Sequence, residues 1–417
     1  MHWLTSLFVI AVCASVGVRL WLTLRQVAAV RAHRDRVPLP FAGAIPIEDH
    51  RKAADYTAAH GRLSIIDTLL DAGVLLALTV GGGIAALDRF WRAAGLEGPT
   101  LGVAVIVAVL LLTTLVSLPL SIWRTFGVES QFGFNRTTPA LFALDFVKSL
   151  LLGAALGIPL LYAVLYTMWH AGQWWWLAAW GVWVAFTLLV TWAWPVFIAP
   201  LFNRFAPLED ETLRARIEGL LERCGFTSRG VFVVDGSRRS THGNAYFTGF
   251  GRHKRIVFFD TLLERLGHPE VEAVLAHELG HLRLHHVRQR LIVMLVGGLL
   301  ALALLGWLAR QPQFYAALGV DTPSPHAALL LFLLATPVFT YFLTPLAAWW
   351  SRRHEFEADR FAASHADADA LAEALVSLYR DNATTLTPDR VHSAFYDSHP
   401  PALVRIGRLR ALARAGT

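Results

Sequence analysis

Seven long apolar runs constrain the fold of this 417-residue chain more than any other feature. Each is close to the length of about 20 residues that a helix needs to cross roughly 30 Å of hydrocarbon. The runs are Trp3–Leu24, Thr68–Leu87, Leu101–Ile122, Ser149–Trp169, Trp174–Trp194, Leu291–Ala309 and Ala327–Trp350. Only 16% of the residues are charged, against about 25% in soluble domains. The pattern predicts an all-α, multi-pass membrane protein with seven transmembrane helices, and excludes a disordered chain or an ordinary cytosolic enzyme.

Two polar segments, 196–290 and 351–417, interrupt the apolar pattern. We expect them to form one soluble α+β lobe, with five membrane helices in 1–195 and two in 291–350. The loops after the first and third runs contain ten Lys and Arg residues, and those after the second, fourth and sixth contain three. The positive-inside rule therefore predicts an outside N-terminus, with the lobe and the C-terminus in the cytoplasm.

Cysteine content and charge exclude further classes of protein. Cys13 and Cys224 are the only cysteines, so the chain has no disulfide framework and no cysteine metal site. The formal net charge of +6 is explained by the basic loops, so we expect a lipid bilayer and no nucleic acid as a partner. Only three of the 37 basic residues are Lys. This arginine bias suggests a bacterial protein, and hence an inner (cytoplasmic) membrane location.

The first polar segment contains the sequence His277-Glu278-Leu279-Gly280-His281. The surrounding stretch, Val271–Arg290, is predicted to be one helix. Histidines four residues apart share a helix face, so both imidazoles can bind one ion. Glu278 is then placed to take a proton from a water on that ion, which is the HExxH arrangement of zinc peptidases. The alternative is a solvated helix with incidental histidines.

A catalytic zinc site needs three protein ligands and one open position. The metzincin pattern cannot supply the third ligand, because Leu284 and Val287 occupy the positions of its Gly and its third His. His285 and His286 continue the predicted helix. We interpret both as surface histidines.

A better third ligand follows the seventh apolar run. Glu355 and Asp359 would lie one turn apart on a helix, which suits a carboxylate ligand and a second carboxylate that orients a ligand imidazole. Glu357 would lie on another face. Two membrane spans separate His281 from Glu355, so both return to the same side of the membrane. The alternative is a charged helix end next to the membrane.

Three short strands are predicted in the first polar segment, at Val231–Asp235, Asn244–Gly249 and Arg255–Asp260, with residues 250–254 joining the last two as a hairpin. An edge strand beside a zinc site can hold an extended peptide through main-chain hydrogen bonds. The candidate substrate strand consists of Asn244, Ala245, Tyr246 and Phe247. The alternative is a strand that only packs on the HExxH helix.

These motifs together make the chain similar to a known family. It resembles the type I CAAX prenyl proteases, integral-membrane zinc metallopeptidases with seven transmembrane helices, over nearly its whole length. Besides the HExxH motif, the segments that carry the resemblance are Gly133–Thr137, Ile198–Phe205, Asn244–Phe247, Glu355–Asp359 and Ser398–Pro401.

The resemblance implies specific site residues. One Zn²⁺ per chain would be bound by His277, His281 and Glu355, with Glu278 as the general base and Asp359 orienting a ligand histidine. His399 and Arg405 would lie beside the zinc as candidate catalytic donors to the oxyanion.

The resemblance also implies a large chamber enclosed by the helices and capped by the lobe. The predicted activity is peptide hydrolysis near the membrane surface, as in the removal of the C-terminal tripeptide of prenylated proteins. The substrate would be a peptide or protein that is lipidated or inserted in the membrane. The segments Gly133–Thr137 and Pro200–Phe205 would brace the lobe against the bundle. The alternatives are a membrane-protein quality-control protease and a transporter with incidental histidines, although the chain has no internal repeat.

Overall fold

The computed structural model describes residues 3–227, 230–248 and 255–416. Its first half is almost entirely helical. Two of its helices, those that end at Ile122 and Ala193, continue directly into π-helical turns, at Trp123–Glu129 and Trp194–Ile198. The α-helices of this half are α1 (Trp3–Ala32), α2 (Ile47–Leu78), α3 (Gly83–Ala93), α4 (Gly98–Ile122), α5 (Pro139–His170), α6 (Trp175–Ala193) and α7 (Ala199–Phe202).

The second half alternates between lobe and membrane elements. The lobe begins with β1 (Phe205–Pro207), α8 (Glu211–Arg223), β2 (Val231–Val234), β3 (Ala245–Thr248), β4 (Arg255–Phe259), α9 (Asp260–Leu263) and α10 (His268–Arg283). The remaining helices are α11 (His286–Leu308), α12 (Pro312–Ala317), α13 (Pro325–Thr340), α14 (Thr344–His365), α15 (Ala368–Asp381), α16 (Arg390–Tyr396) and α17 (Ala402–Gly416).

Six helical segments of the described chain are long and apolar enough to cross a membrane, and a bent pair gives a seventh. The bent pair is α2 and α3, which meet at 52° within the predicted second span. The reason is local, since the break ends with Gly81 and Gly82, and Gly82 has φ +76°, a left-handed conformation that glycine adopts at little cost. The predicted second run, Thr68–Leu87, therefore corresponds to a bent pair of helices, whereas the six other runs coincide with apolar helices.

The lobe contains a four-stranded sheet with the order β1-β2-β4-β3. β2 and β4 are parallel, and β3 and β4 are antiparallel with Tyr246 opposite Val257. The three strands predicted from the sequence are present with shorter ends. The predicted hairpin connection at 250–254 lies outside the described residues. β3 is the last strand in this order, so its outer side is an edge of the described sheet.

Both polar segments contribute to one hydrophobic core. Fully buried residues from 196–290 and from 351–417 belong to the same cluster, among them Ile217, Leu220, Phe258, Leu279, Leu371 and Leu409. Burying a side chain of this size stabilises the fold by about 1.5–3 kcal/mol. This shared core holds α10 and α14 in contact although about 60 residues, including the apolar helices α11 and α13, separate them.

Arg239 joins the lobe to the membrane bundle. Its guanidinium donates to both carboxylate oxygens of Asp145 on α5, at 2.8 and 3.1 Å, and to the carbonyl oxygen of Phe202 at 2.7 Å. Its carbonyl oxygen accepts from the main-chain N–H of Arg136 at 3.0 Å and from Thr137 Oγ1 at 3.2 Å. The prediction that 133–137 and 200–205 brace the lobe is thus confirmed.

A second junction ties α1 to the C-terminal part of the lobe, and it should depend on pH. Arg25 makes a bidentate ion pair with Asp389, with N–O distances of 2.9 and 3.1 Å. This hydrogen bonding, together with main-chain N–H donors of α16, lowers the pKa of Asp389 below its ordinary value. The pair therefore adds stability above the unfolded-state pKa of about 3.9, and this contribution is lost as the pH falls through the lower folded-state pKa.

We expect an Asp389→Asn protein to unfold at a lower temperature than wild type at pH 7, because Asn still caps α16 but carries no charge. The difference should shrink as the pH falls through the lowered folded-state pKa, and it should disappear at the acid end of the titration, where the wild-type carboxylate is protonated as well. Thermal unfolding in detergent across this pH range measures the effect, with the exposed Asp369→Asn on α15 as the control. An equal difference at both ends of this range would show that the charge is not the cause.

Candidate metal centre

The predicted ligands lie on two helices whose backbones pack closely against each other. His277 and His281 lie one turn apart on α10, and Glu355 lies on α14. A Cβ atom on Gly280 would lie only 3.0 Å from Ala358 Cα and 3.2 Å from its carbonyl oxygen. A side chain at position 280 would push the helices apart by a few tenths of an ångström, so glycine favours this close approach, which brings Glu355, one turn before Ala358, up to the two histidines. The glycine of the HExxH segment thus positions the third carboxylate.

The donor atoms of these three side chains converge on one point. His277 Nε2 and His281 Nε2 are 3.2 Å apart, and the Glu355 oxygens lie 3.5 Å from His277 Nε2 and 3.4 Å from His281 Nε2. Ligands about 2.1 Å from a tetrahedral ion are separated by about 3.4 Å. The side chains are 7, 15 and 3% exposed, so water competes little for the donors.

The hydrogen-bond partners of the two imidazoles test whether a cation fits. His277 Nδ1 lies 2.9 Å from Asp359 Oδ1, and a carboxylate can only accept, so the proton is on Nδ1. His281 Nδ1 in turn faces His286 Nδ1 at 3.0 Å. A metal bound by both Nε2 atoms, which are 3.2 Å apart, requires both Nδ1 atoms to carry protons. Asp359 Oδ1 and His286 Nδ1 are placed to accept those protons, so the residues fit a metal ion.

Asp359 is held in turn by Arg405 on α17. The guanidinium donates from Nε at 2.9 Å and from Nη2 at 2.8 Å, and Arg405 is 5% exposed. Burial lowers the pKa of Arg405, but its hydrogen bonds and charge pairing with Asp359 outweigh burial and raise that pKa above its ordinary value. The guanidinium thus stays charged. Its bidentate contact with Asp359, which in turn accepts from His277 Nδ1, indicates that Arg405 positions this Asp–His pair.

His399 approaches Glu355 from the loop before α17. Its Nδ1 lies 2.7 Å from Glu355 Oε2, and its side chain is 62% exposed whereas that of Glu355 is 3% exposed. Because the carboxylate accepts, Nδ1 carries a proton. Glu278 is half-buried and next to His277 on α10.

β3 contacts α10 in the lobe. Ala245 and Phe247 pack partly buried against the core cluster, whereas Tyr246 alternates to the other face, with its ring 6.2 Å from that of Phe259. Asn244 is exposed. The strand therefore combines packing on the lobe with an edge position.

One part of the site was not anticipated. The predicted helix Val271–Arg290 is interrupted, because α10 ends at Arg283 and α11 begins at His286 after His285, whose φ is +60°. His286 is 1% exposed, so the interpretation of both following histidines as surface residues is correct for His285 and wrong for His286. No sequence signal marked the break, since histidine rarely adopts positive φ.

Comparisons with known proteins agree with this arrangement. Residues 26–204 match the CAAX prenyl protease N-terminal family, described as five membrane helices, and residues 207–413 match peptidase family M48. The CAAX prenyl protease 1 homolog of Arabidopsis thaliana is 31% identical over 94% of this chain and 93% of its own length. CAAX prenyl protease 1 of Saccharomyces cerevisiae is 36% identical over 72% of this chain and 69% of its own length.

A solved structure extends the similarity to three dimensions. The crystal structure of S. mikatae Ste24p superposes with a TM-score of 0.90 and 29% sequence identity, covering 97% of this chain and 98% of that one. These matches confirm the resemblance drawn from the motifs and favour the protease interpretation over a transporter. The chain belongs to the M48 metallopeptidases of the CAAX prenyl protease 1 type, and it is a membrane-embedded protease.

Proposed function

We propose that this chain is a zinc metalloendopeptidase that cuts membrane-associated substrates at a single zinc held by His277, His281 and Glu355. The two Nε2 lone pairs, 3.2 Å apart and both within 3.5 Å of a buried carboxylate, carry the proposal. A His₂Glu donor set with one open position is the set of hydrolytic zinc sites. When bound, zinc supplies a Lewis acid that polarises a peptide carbonyl and makes water nucleophilic at neutral pH.

The chain's own residues then carry the proton and orient the substrate. Glu278 is the general base that takes a proton from the attacking water and returns it to the leaving amine. Asp359, fixed by Arg405, holds the His277 imidazole with its Nε2 free for the metal. His399 donates to Glu355 from Nδ1, so it can also donate from Nε2 to an oxyanion when both ring nitrogens carry protons.

The edge strand β3 is the proposed substrate-binding element. Its main chain at Asn244, Ala245, Tyr246 and Phe247 would pair with an extended peptide, which directs a scissile carbonyl toward α10. The exposed Asn244 and the alternating side chains of the strand support this role. Residues of β4 already pair with the inner side of β3, so the outer side is the one left for the peptide.

We also propose the extent of the membrane region and of the lobe, and their orientation in the membrane. The membrane region is 1–195 together with 291–350, and the lobe is 196–290 together with 351–417, with the N-terminus outside and the lobe in the cytoplasm. The excess of basic residues in the loops on the lobe side supports this orientation. The arginine-rich composition supports a bacterial inner membrane as the location.

Prenylated proteins are the proposed substrate class, because the relatives are named CAAX prenyl proteases. The purified protein in detergent should remove three C-terminal residues from a farnesylated peptide that ends in a cysteine, two aliphatic residues and a variable residue. Mass spectrometry of the products identifies the cut, and the same peptide without the farnesyl group is the control. Faster cleavage of the control peptide would contradict prenyl recognition, and selective degradation of unfolded membrane proteins would favour the quality-control alternative.

A further inference from the structure

His286 is a buried histidine that contacts a proposed ligand. It follows His281 by five residues. In a continuous helix that spacing would place its side chain about 140° around the helix axis from the side chain of His281. The interruption at His285 brings the two rings together instead, with the Nδ1 atoms 3.0 Å apart and the ring centroids 5.2 Å apart. The break between α10 and α11 therefore creates a contact that helical geometry alone would prevent.

The direction of this hydrogen bond follows from the other ring nitrogen of His281. Its Nε2 points to His277 and Glu355, so a metal bound there requires the proton to be on Nδ1. His281 Nδ1 then donates, and His286 Nδ1 must accept. Neutral His286 consequently carries its own proton on Nε2.

Glu357 completes the chain of hydrogen bonds. Its Oε2 lies 3.1 Å from His286 Nε2, and its Oε1 accepts from Arg353 at 3.1 Å. The His286 ring is also stacked on His354, with centroids 4.0 Å apart and the planes 4° from parallel. These contacts hold the His286 imidazole in one orientation, with its acceptor atom toward His281.

We propose that His286 and Glu357 are positioning residues for the metal ligand His281, through the hydrogen-bond chain Glu357–His286–His281. This inference rests on the proposed function, since it presupposes metal at His281. The hydrogen-bond chain that starts at each ligand histidine then ends at a carboxylate. His277 reaches Asp359 directly, whereas His281 reaches Glu357 through a second imidazole.

A second metal site is the competing interpretation of the same residues. Donor atoms of His286, His354 and Glu357 lie within 4.8 Å of one another, and His354 Nδ1 is buried with no hydrogen-bond partner among the residues that the structure describes. A metal on His286 Nε2 would, however, force the proton onto Nδ1. Two N–H groups would then oppose each other at the 3.0 Å contact with His281. Because metal at His281 disfavours metal at His286, the positioning role is the one that we propose.

Zinc affinity tests the proposal independently of activity. The full-length protein in detergent is titrated with a chromogenic zinc chelator, and bound zinc per chain is measured in parallel. In His286→Leu the dissociation constant for zinc should rise about 10- to 100-fold, as for other lost partners of ligand histidines. In His286→Asn most of the affinity should return, because its Oδ1 can accept near the position of Nδ1. The matched control is His285→Asn, which keeps a residue tolerant of positive φ and should leave the affinity unchanged.

Several outcomes would overturn the proposal. Wild-type zinc affinity in folded His286→Leu would do so, as would two zinc ions per chain that fall to one in both His286→Leu and His354→Leu. Should His286→Leu not fold, Glu357→Leu replaces it, since Glu357 is 26% exposed, and unchanged zinc affinity there would also contradict the inference. A His277→Ala protein that retains its zinc would instead refute the proposed site itself, so the two failures are distinguishable.

Discussion

A Glu278→Gln protein is expected to retain its zinc and to lose peptide hydrolysis, with kcat lowered by about 10²- to 10⁴-fold. Gln has nearly the same shape as Glu but cannot take a proton from water at neutral pH. Glu278 is not one of the three converging donors, so zinc binding should not change. The loss should appear in kcat more than in KM, because the carboxylate acts on the water and not on the bound peptide.

The experiment compares cleavage of one peptide by wild type and Glu278→Gln at equal zinc content. Glu272→Gln is a matched control, since Glu272 lies on the same helix and pairs with Arg216 and Arg223 on α8. The control should hydrolyse the peptide at the wild-type rate. A Glu278→Gln enzyme within twofold of wild type would disprove the general-base role, and a loss of its zinc would identify Glu278 as a ligand.

Replacing His277 by Ala is expected to lower bound zinc from about one ion per chain to nearly none and to abolish hydrolysis. The variant leaves two protein ligands of the three that a catalytic zinc requires. It should still fold, because Asp359 keeps its bidentate partner Arg405 and is not left as an unpaired buried charge.

Metal analysis and circular dichroism on the same sample separate loss of zinc from loss of fold. A chelator should inactivate wild type, and added zinc should restore wild type but not His277→Ala. The control is again His285→Asn, on the exposed neighbour of His286, which should bind zinc normally. Full zinc occupancy in folded His277→Ala would mean that the ion is bound elsewhere.

Much of the fold and of the candidate site could be predicted because their signals are local. Seven apolar spans were predicted, and six coincide with single apolar segments and one with the bent pair, since an apolar run of about 20 residues has few alternatives to a membrane helix. The pairing of His277 with His281, and of Glu355 with Asp359, follows from helical periodicity over four residues.

The features that were missed depend on contacts between distant segments. The bend between α2 and α3 could not be predicted from the apolar pattern, because hydropathy carries no information on the direction of the backbone. The burial of His286 depends on the positive φ of His285 and on the facing surface of α14, where His354 and Glu357 contact it. A non-glycine residue adopts such a conformation only where tertiary packing offsets its cost.

The membrane class of this protein, a candidate general base and three candidate ligands follow from the amino-acid sequence alone, because hydropathy and helical spacing act within a few turns of one chain segment. The assembly of the site depends on tertiary contacts. The backbone contact of Gly280 with Ala358 brings Glu355 to the histidines, and the break at His285 brings His286 to His281. Both contacts need the packing of α10 against its neighbours, which short-range hydrogen bonds and periodicity do not specify.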